Sequence, residues 1–310
     1  MPPLLRKILI GSGITIEPGG PYTLYLPRTS GPFAQTSQSL KVPEGALVGA
    51  LAGCGFLTGK RAIWVRLVQT HGARGAEALA PPTWLLDHEP DRVRLRAQFT
   101  PGLYVLKSRR EHRRGLQLVR HLDDILAVRR DIVQRVLTSG LQLDGRRVQL
   151  RLYLLLTQHR GTLTVRLYDD GRCLYGAASG APFEVYLHTQ QVHPREGLPT
   201  TLQQLIDDSR TPVDATLMSH LRALIGKVVA AARPRLLATR HLDHARCFQL
   251  FGVDVILTDQ GKPVFIEANK GPSLTPTSRD DERFKRTMLR QLLAATDVLA
   301  GNGSRFVSID

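Results

Sequence analysis

The strongest constraint in the sequence is a stretch near the C-terminal end in which two acidic residues lie in short apolar segments on either side of a turn. Apolar residues surround Asp254 and again Glu267, which predicts two short, mostly buried strands. The intervening segment Asp259–Lys262 contains Gly261, and glycine tolerates the positive φ of a tight turn. If Asp259 pairs with Lys262, the register of the hairpin places Asp254 directly opposite Glu267.

This register would bring oxygen ligands together. Directly opposite residues of an antiparallel pair have Cβ atoms about 4.5–5.5 Å apart. Asn269 follows Glu267 by two residues and points to the same face. Facing carboxylates on a half-buried sheet are unfavourable unless a cation neutralises them, and Mg²⁺ prefers oxygen ligands. We therefore expect Asp254, Glu267 and Asn269 to bind Mg²⁺; the alternative is a surface hairpin whose acids face water.

The composition is that of an ordinary globular protein with room for two or three packed subdomains. The chain has 310 residues, of which 42% are hydrophobic and 22% are charged. Its longest apolar run, Ala46–Leu57, is too short to cross a bilayer, and its first residues lack the layout of a signal peptide. Three widely separated cysteines fit a reducing compartment. We expect a cytoplasmic protein with no membrane partner.

The charge balance predicts an acidic partner. The formal net charge is +15 and the sequence pI is about 10.4. Arginine supplies most of the basic residues, and its guanidinium forms bidentate pairs with carboxylates and phosphates. A GC-rich genome, which enriches arginine and alanine, would give the same composition without any function. Because the sequence has no RNA-binding, zinc-finger or coiled-coil signature, we do not expect a nucleic-acid partner.

The order of predicted elements divides the chain into an N-terminal subdomain (1–100), a central subdomain (101–140) and a C-terminal subdomain (141–310). In the first, apolar runs predict strands at Lys7–Ile10, Tyr22–Leu26 and over residues 60–70. In the others we predict strands at Leu103–Lys107, Leu116–Arg120, Val148–Thr157 and Thr162–Tyr168, a turn at Asp169–Gly171, and helices over residues 211–240 and 280–300. Pro212 suits the first turn of the former helix, and Pro234 should kink or end it.

Three further features suit nucleotide chemistry when taken together. Lys107 ends a strand before a polar loop, where it could reach phosphates, although such a lysine is usually just solvated. Gln134–Leu137 is an extended link between two subdomains whose backbone could bind an adenine edge. Arg147, Gln149 and Arg151 share one face at the start of a buried strand. Burying Arg151 is unfavourable unless it meets an anion, which could be a substrate or one of the core acids.

The sequence of the acid-bearing hairpin resembles the motif of a known family. The pattern F-G-x-D, a turn, an apolar run and E-x-N-x-x-P-S-L is present as Phe251, Gly252, Asp254, Glu267, Asn269, Pro272, Ser273 and Leu274. Shorter similarities follow the same order at PTWLL (82–86), YVLK (104–107), residues 134–157 and LYDDG (167–171). Over about residues 80–295 the chain thus resembles tubulin tyrosine ligase and the tubulin tyrosine ligase-like proteins of the ATP-grasp superfamily.

The resemblance implies an α/β (α+β) ATP-grasp fold of three subdomains, with the nucleotide cleft between the central and C-terminal ones. It also implies an ATP-dependent carboxylate–amine ligase. ATP would phosphorylate an acceptor carboxylate to an acylphosphate, and the amine of a free amino acid would then displace the phosphate. The acceptor would be an acidic protein or peptide, which agrees with the positive charge of the chain.

Roles carry over position by position from this resemblance. Arg151 and Glu267 would be catalytic, with Arg151 facing the γ-phosphate and the reacting carboxylates. Asp254, Glu267 and Asn269 would hold Mg²⁺. Lys107 would contact the α- and β-phosphates, and the remaining positions near the nucleotide would be Gln134, Arg135, Val136, Leu137, Arg147, Gln149 and Thr189.

The chain departs from the family pattern at several positions. Gln149 replaces an aspartate, Thr189 replaces an asparagine, and the loop after Lys107 reads RREHRR instead of small residues. Leu174 stands where an arginine is common, and Arg172 is the nearest replacement, although strand alternation puts both on one face. From these losses we predict a neutral or small donor amino acid in preference to glutamate.

Two other functions remain open at the level of sequence. One is an ATP-grasp ligase for small peptides or metabolites, and the other is a nucleotide-binding pseudoenzyme that serves as a scaffold on acidic tails. Release of ADP or phosphate separates the scaffold from the ligases. Mass added to proteins separates the two ligases from each other.

Overall fold

The structure is a computed structural model that describes residues 1–16, 23–26, 42–107, 116–127, 132–176, 197–239, 242, 244–300 and 303–309. Its helices are α1 (Pro3–Gly11), α2 (Gly55–Thr58), α3 (Lys60–Leu79), α4 (Glu89–Gln98), α5 (Leu122–Ala127), α6 (Leu202–Ile206), α7 (Leu217–Ala238) and α8 (Arg279–Ala295). Its strands are β1 (Leu24–Tyr25), β2 (Leu47–Val48), β3 (Thr83–Leu85), β4 (Tyr104–Lys107), β5 (Gln117–Val119), β6 (Ile132–Arg135), β7 (Gln142–Leu143), β8 (Arg146–His159), β9 (Thr162–Tyr175), β10 (Arg246–Leu257), β11 (Pro263–Lys270) and β12 (Phe306–Ser308). None of the helices in these ranges has the length and apolar character of a membrane span.

The larger sheet has the strand order β1-β2-β10-β8-β9-β12, with β11 paired to β10 and β7 paired to β8. Its centre is antiparallel, because β8 pairs with β10 on one side and β9 on the other. One face of these strands carries apolar residues at every second position and packs in the main core with α3, α6 and α7. Its members include Leu150, Leu152 and Leu154, all fully buried.

The other face of the larger sheet changes character along its length. At one end Tyr153, Leu155 and Leu250 pack under α1 and α8 in a second core. At the other end the same face carries Arg151 and Asp254 and looks into a cleft. The apolar half of this face is therefore covered by α1 and α8, whereas its polar half lines the cleft.

The smaller sheet has the order β3-β6-β4-β5 and forms the opposite wall of the cleft. Its own small core lies against α4 and α5 and is built on Trp84, Tyr104 and Ile125. Leu85 and Ile132 pack instead into the main core. The expected α/β class is confirmed by this mixed arrangement, which is consistent with an ATP-grasp fold.

Two strands predicted near the N-terminus are helices. Lys7–Ile10 lies within α1, whose residues Leu4, Leu5, Ile8 and Leu9 are buried. Residues 60–70 lie within α3, where Ile63, Trp64 and Leu67 point to the core. Both sets of apolar residues recur at helical spacing, which outweighs the β-branched residues that favoured strands.

Later elements match the predictions more closely. The strands predicted at Leu103–Lys107, Leu116–Arg120 and Val148–Thr157 correspond to β4, β5 and β8. The turn predicted at Asp169–Gly171 is wrong: β9 continues through it, and the pairing with β8 shifts there in a β-bulge. Helix α7 begins at Leu217, so the prediction of Pro212 in its first turn is wrong, and α7 does not end at Pro234 but continues to Ala238. Helix α8 covers most of the helix predicted over residues 280–300.

The division at residues 100 and 140 stays a prediction. The smaller sheet takes one strand, β3, from the stretch before residue 101, and it takes β4, β5 and β6 from residues 101–140. The larger sheet likewise takes β1 and β2 from the N-terminal hundred residues.

Candidate active site

The acid-bearing hairpin is formed by β10 and β11. Asp254 lies directly opposite Glu267, which confirms the predicted pairing. Asp254 is almost fully buried, and Glu267 is partly exposed on the cleft side. Apolar neighbours bury both strands, so the hairpin is part of the sheet and the alternative of a solvated surface hairpin is wrong.

The predicted register is right for a different reason from the one expected. At the turn, the N–H group of Thr258 donates to the carbonyl of Lys262 at 2.9 Å, so the pairing partner of Lys262 is Thr258 and not Asp259. Continued unchanged, that register would place Asp254 opposite Ile266. A β-bulge next to Asp254 takes up one residue of β11 and restores the pairing with Glu267.

Asn269 joins the two carboxylates, as its position on the strand predicts. Its Nδ2 atom donates to Oε1 of Glu267 at 3.0 Å and lies 3.4 Å from Oδ2 of Asp254. Three oxygen-bearing side chains therefore converge at one place on the face of the sheet.

Arg151 pairs with Asp254 across neighbouring strands. Its Nε atom lies 2.5 Å from Oδ1 of Asp254, and its Nη2 atom lies 3.1 Å from Oδ2. Burial raises the pKa of the Asp254 carboxyl, and the charge of Arg151 acts in the opposite direction. This contact is the ion pair with a core acid that the sequence left open, and it keeps the guanidinium at the carboxylates.

The donor set fits a magnesium ion. The two carboxylates match the preference of Mg²⁺, which takes one or two carboxylates and completes its shell with water and substrate phosphates. The amide of Asn269 directs its Nδ2 atom at these carboxylates, so it would have to turn over to offer its oxygen to the ion. Across the described ranges there is no group of three or more His, Cys, Asp or Glu side chains arranged to hold a metal. A cation at Asp254 and Glu267 would therefore depend on ligands from a substrate.

The opposite wall presents Lys107 at the end of β4. Its Nζ atom donates to Oε1 of Gln134 at 2.6 Å, and the amide of Gln134 donates to Oγ1 of Thr83 at 2.9 Å. Burial lowers the pKa of Lys107 to about 8, although the carboxylate of Glu267 opposes this shift. A buried ammonium whose partner among the described residues is a neutral amide is well prepared to bind an anion.

The remaining positions of the proposed nucleotide site surround these two walls. Arg147 is fully buried and donates from Nη2 to the carbonyl of Thr138 at 2.7 Å. At the end of β6 and directly after it, the N–H groups of Arg135 and Val136 donate to the carbonyls of Pro82 and Leu103. An adenine edge would therefore have to use other groups of this segment.

A single cleft of about 690 Å³ brings these predicted residues together. Its lining contains every predicted site residue that the structure describes, namely Lys107, Gln134, Arg135, Val136, Leu137, Arg147, Gln149, Arg151, Asp254, Glu267 and Asn269. Thr189 and the arginine-rich loop after Lys107 lie outside the described residues. The convergence is a geometric result, and the individual roles stay predictions.

Sequence reasoning misses two basic residues of the cleft. Lys60 lies at the first position of α3, and Lys270 ends β11. Lys60 is missed because the sequence predicts that residues 60–70 form a strand of the N-terminal subdomain, away from the nucleotide cleft. A glycine followed by lysine at a helix start, as in Gly59-Lys60, is too common a signal to identify the site alone.

Leu174 and Arg172 occupy different surroundings. Leu174 lies opposite Gln149 and lines the cleft. Arg172 lies opposite Arg151, but its Nε atom is 3.4 Å from Oδ1 of Asp281 and its guanidinium stacks over the ring of Phe284. Arg172 is absent from the described lining of the cleft and does not replace a basic residue at position 174.

Most of the chain is similar in sequence to known proteins. Residues 43–305 match the tubulin-tyrosine ligase family. The chain belongs to this family. It is 27% identical over 196 residues to the probable tubulin polyglutamylase TTLL9 of Rattus norvegicus, which covers 57% of the chain and 41% of the relative. The expected resemblance is confirmed, and it begins well before residue 80.

Two other relatives extend the match along the chain. The tubulin polyglutamylase TTLL5 of Homo sapiens is 25% identical over 258 residues, covering 74% of this chain and 20% of its own length. A probable beta-tubulin polyglutamylase of Tetrahymena thermophila is 26% identical over 251 residues, covering 69% of the chain and 21% of its own length. The chain therefore spans less than half the length of these relatives.

Proposed function

We propose that the chain is an ATP-dependent ligase that joins a free amino acid to a carboxylate of an acidic protein. The observation that carries this proposal is the facing pair Asp254 and Glu267 with Arg151 beside it and Lys107 across one cleft. Family membership and the polyglutamylase names of the relatives support it. A cytoplasmic location remains a prediction.

The proposed chemistry has two steps. A carboxylate oxygen of the acceptor attacks the γ-phosphorus of ATP, the bond to the β,γ-bridging oxygen breaks, and ADP leaves. The nitrogen of the donor amine then attacks the carbonyl carbon of the acylphosphate, phosphate leaves, and the amine loses a proton. Bound Mg²⁺ would neutralise phosphate charge at Asp254, Glu267 and Asn269.

The residues of the chain would contribute mainly positioning and charge. Arg151, fixed by its bidentate contact with Asp254, would face the transferred phosphoryl group and the attacking carboxylate. Lys107 would exchange its neutral partner Gln134 for the phosphates. The link Gln134–Leu137 would lie along the base of the nucleotide.

The charges of the cleft support an anionic acceptor. In the described lining the basic side chains outnumber the acidic ones, with Lys60, Lys107, Arg135, Arg147, Arg151 and Lys270 against Asp254 and Glu267. Part of this excess remains after Mg²⁺–ATP binds. Because the relatives are named for tubulin, tubulin is the first acceptor to test.

The donor amino acid is less constrained. The relatives are named polyglutamylases, which favours glutamate. Leu174 in the wall of the cleft, with Arg172 turned to Asp281, favours a donor without a second carboxylate. The preference for a neutral or small donor over glutamate, which the sequence suggests, therefore stays a prediction.

A donor screen tests the proposed function. Purified protein with MgATP, and with either tubulin or small peptides and metabolites as acceptors, is given each of the twenty amino acids, and ADP release is measured. Donor-dependent release with one or a few amino acids is expected. Release only with small peptides or metabolites as acceptors would favour the metabolite ligase, and MgATP binding without any release would favour the scaffold.

A further inference from the structure

A buried cluster of charges lies beside the cleft at the start of α8. It consists of Arg172, Asp281 and Lys285, each less than a tenth exposed. Asp281 is shared: its Oδ1 atom lies 3.4 Å from Nε of Arg172, and its Oδ2 atom accepts from Nζ of Lys285 at 2.8 Å. We refer to these three residues as the Asp281 cluster.

The Asp281 cluster holds the segment that connects the acid-bearing strand to α8. Oδ2 of Asp281 accepts from the N–H group of Thr277 at 2.9 Å and from its hydroxyl at 3.1 Å. Nζ of Lys285 donates to the carbonyl of Thr275 at 2.8 Å. Residues 271–278, which we call the connecting segment, are therefore fixed at their C-terminal end from inside the protein.

The N-terminal end of the connecting segment belongs to the cleft. It follows Asn269 after one residue, and Gly271, Pro272 and Ser273 line the cleft wall. Pro272 packs against β10 at Gly252, where a Cβ atom would lie 2.9 Å from Cβ of Pro272 and 3.0 Å from Cδ of Arg151. The proline and the arginine thus pack side by side over the glycine.

A second path links the cluster to the site. Arg172 on β9 lies directly opposite Arg151 on β8, so the cluster and the Arg151–Asp254 pair occupy neighbouring positions of one sheet face. Moving Asp281 would therefore disturb both Pro272, through the connecting segment, and the strand position beside Arg151.

Stability alone does not account for such a cluster. Burying charges carries a large desolvation cost, and apolar residues of similar volume often stabilise a protein as well or better. The first turn of α8 also carries Asp280 and Glu282, which favour a helix N-terminus without being fully buried. Unlike these two acids, Asp281 also accepts hydrogen bonds from Thr277 in the connecting segment.

We propose that Asp281 is a positioning residue for the ligase reaction, acting through the connecting segment on Pro272 and Arg151. This inference rests on the proposed function, because it assigns Asp281 to the orientation of the phosphoryl-transfer site. Asp281 is not among the described residues that line the cleft. Its loss should therefore lower turnover more than it lowers nucleotide affinity.

The test compares Asp281→Asn with Glu282→Gln. Glu282 is the matched control, because it lies in the same helical turn and forms a half-exposed pair with Arg286. Turnover is measured as ADP release with MgATP, a polyglutamate peptide and a mixture of the twenty amino acids, well below the melting temperature of each variant. Hydrogen exchange of peptides covering residues 271–278 is measured in parallel.

We expect D281N to lower kcat at least tenfold, to change the KM for ATP less than threefold, and to speed exchange in the connecting segment. E282Q should stay within twofold of the wild type on all three. If D281N fails to fold, the charge-balanced double variant D281N/K285M takes its place, with the same expectation.

Three results would overturn the inference. They are a wild-type kcat in folded D281N, an equal loss in E282Q, and unchanged exchange in residues 271–278. A wild-type protein that releases no ADP would refute the proposed function, and with it the role in turnover. The exchange result would still report, on its own, whether Asp281 fixes the segment.

Discussion

The two walls of the cleft are built in different ways. The wall with Asp254 and Glu267 belongs to long antiparallel strands whose register fixes each side chain against its neighbours. The wall with Lys107 belongs to strands of three or four residues with a small core of their own. On the first wall charges pair with charges, whereas on the second a buried lysine bonds to a neutral amide.

The two walls should therefore contribute differently to the stability of the fold and to ligand binding. Removing a charge from the wall of paired charges leaves its partner buried and uncompensated, which should destabilise the fold as well as abolish activity. Removing the buried lysine relieves a desolvation cost, so it should weaken ligand binding without weakening the fold.

The largest effect is expected for Arg151→Met. Asp254 would keep its burial but lose its bidentate partner, and breaking such a pair costs about 3–5 kcal/mol of unfolding free energy. Turnover should fall at least 100-fold. Urea unfolding and ADP release measure the two effects. The control Arg246→Met breaks an exposed pair with Asp297 and should cost no more than about 1 kcal/mol; an equal loss in both variants would contradict the contrast.

Gly252→Ala should give the next largest effect. The added methyl group would meet the ring of Pro272 and the side chain of Arg151 at about 3 Å, so one of them must move. We expect turnover to fall about tenfold with a smaller change in Tm. Gly55→Ala, where nothing lies within 4 Å of the added atom, serves as the matched control. Unchanged turnover in G252A would show that the packing of Arg151 is not constrained there.

Lys107→Met tests the wall of the smaller sheet. Affinity for MgATP should fall at least tenfold, because the phosphates lose a buried cation, while Tm should stay the same or rise. Isothermal titration calorimetry and thermal unfolding measure the two quantities. A fall in Tm as large as that of Arg151→Met would mean that the two walls do not differ as described.

The pKa of Lys107 predicts a pH dependence on the same wall. Because burial lowers this pKa to about 8, the lysine loses its proton as the pH rises through 8, and affinity for MgATP should fall several-fold between pH 7 and pH 9. In the unfolded chain the lysine keeps its proton up to about pH 10.5, whereas in the folded protein it loses the proton near pH 8. Between these pH values the folded protein no longer bears the cost of burying a charge, so the free energy of unfolding rises with pH. Titrations of Lys107→Met should lack the affinity change, and an identical pH profile in that variant would refute the assignment.

The smallest effect is expected from salt. The acceptor should bind through exposed basic residues, whose interactions are screened beyond about 8–10 Å near physiological ionic strength. We expect the KM for an acidic acceptor to rise several-fold between low and high salt, with a smaller change for ATP. A KM that stays constant would favour a small neutral acceptor instead.

The sequence predicts the wall of the larger sheet well, because strand alternation and a short turn place side chains with little help from the rest of the molecule. Asp254, Glu267, Asn269 and Arg151 come together as the pattern indicates. Even so, the pairing survives only because the turn and the bulge at Ile266 offset each other by one residue. No local signal in the sequence reveals that compensation.

The rest of the site depends on packing between distant segments. Lys60 reaches the cleft because α3 is a helix that packs against α7, and the apolar, β-branched start of α3 reads as a strand in isolation. The Asp281 cluster joins β9 to α8 across a bulge that the sequence presents as a turn. Such contacts follow from tertiary structure and not from local periodicity.

The proposed ligase activity is tested most directly by the mass of the acceptor after reaction with the wild-type protein and, in a parallel sample, with Glu267→Gln. This substitution removes one charge from the facing pair and keeps the side-chain volume. We expect wild-type protein, MgATP and an amino acid to add whole residue masses to an acidic acceptor, whereas folded E267Q should add none. Equal mass addition by both proteins would contradict the claim that Asp254 and Glu267 form the centre of an ATP-dependent ligase.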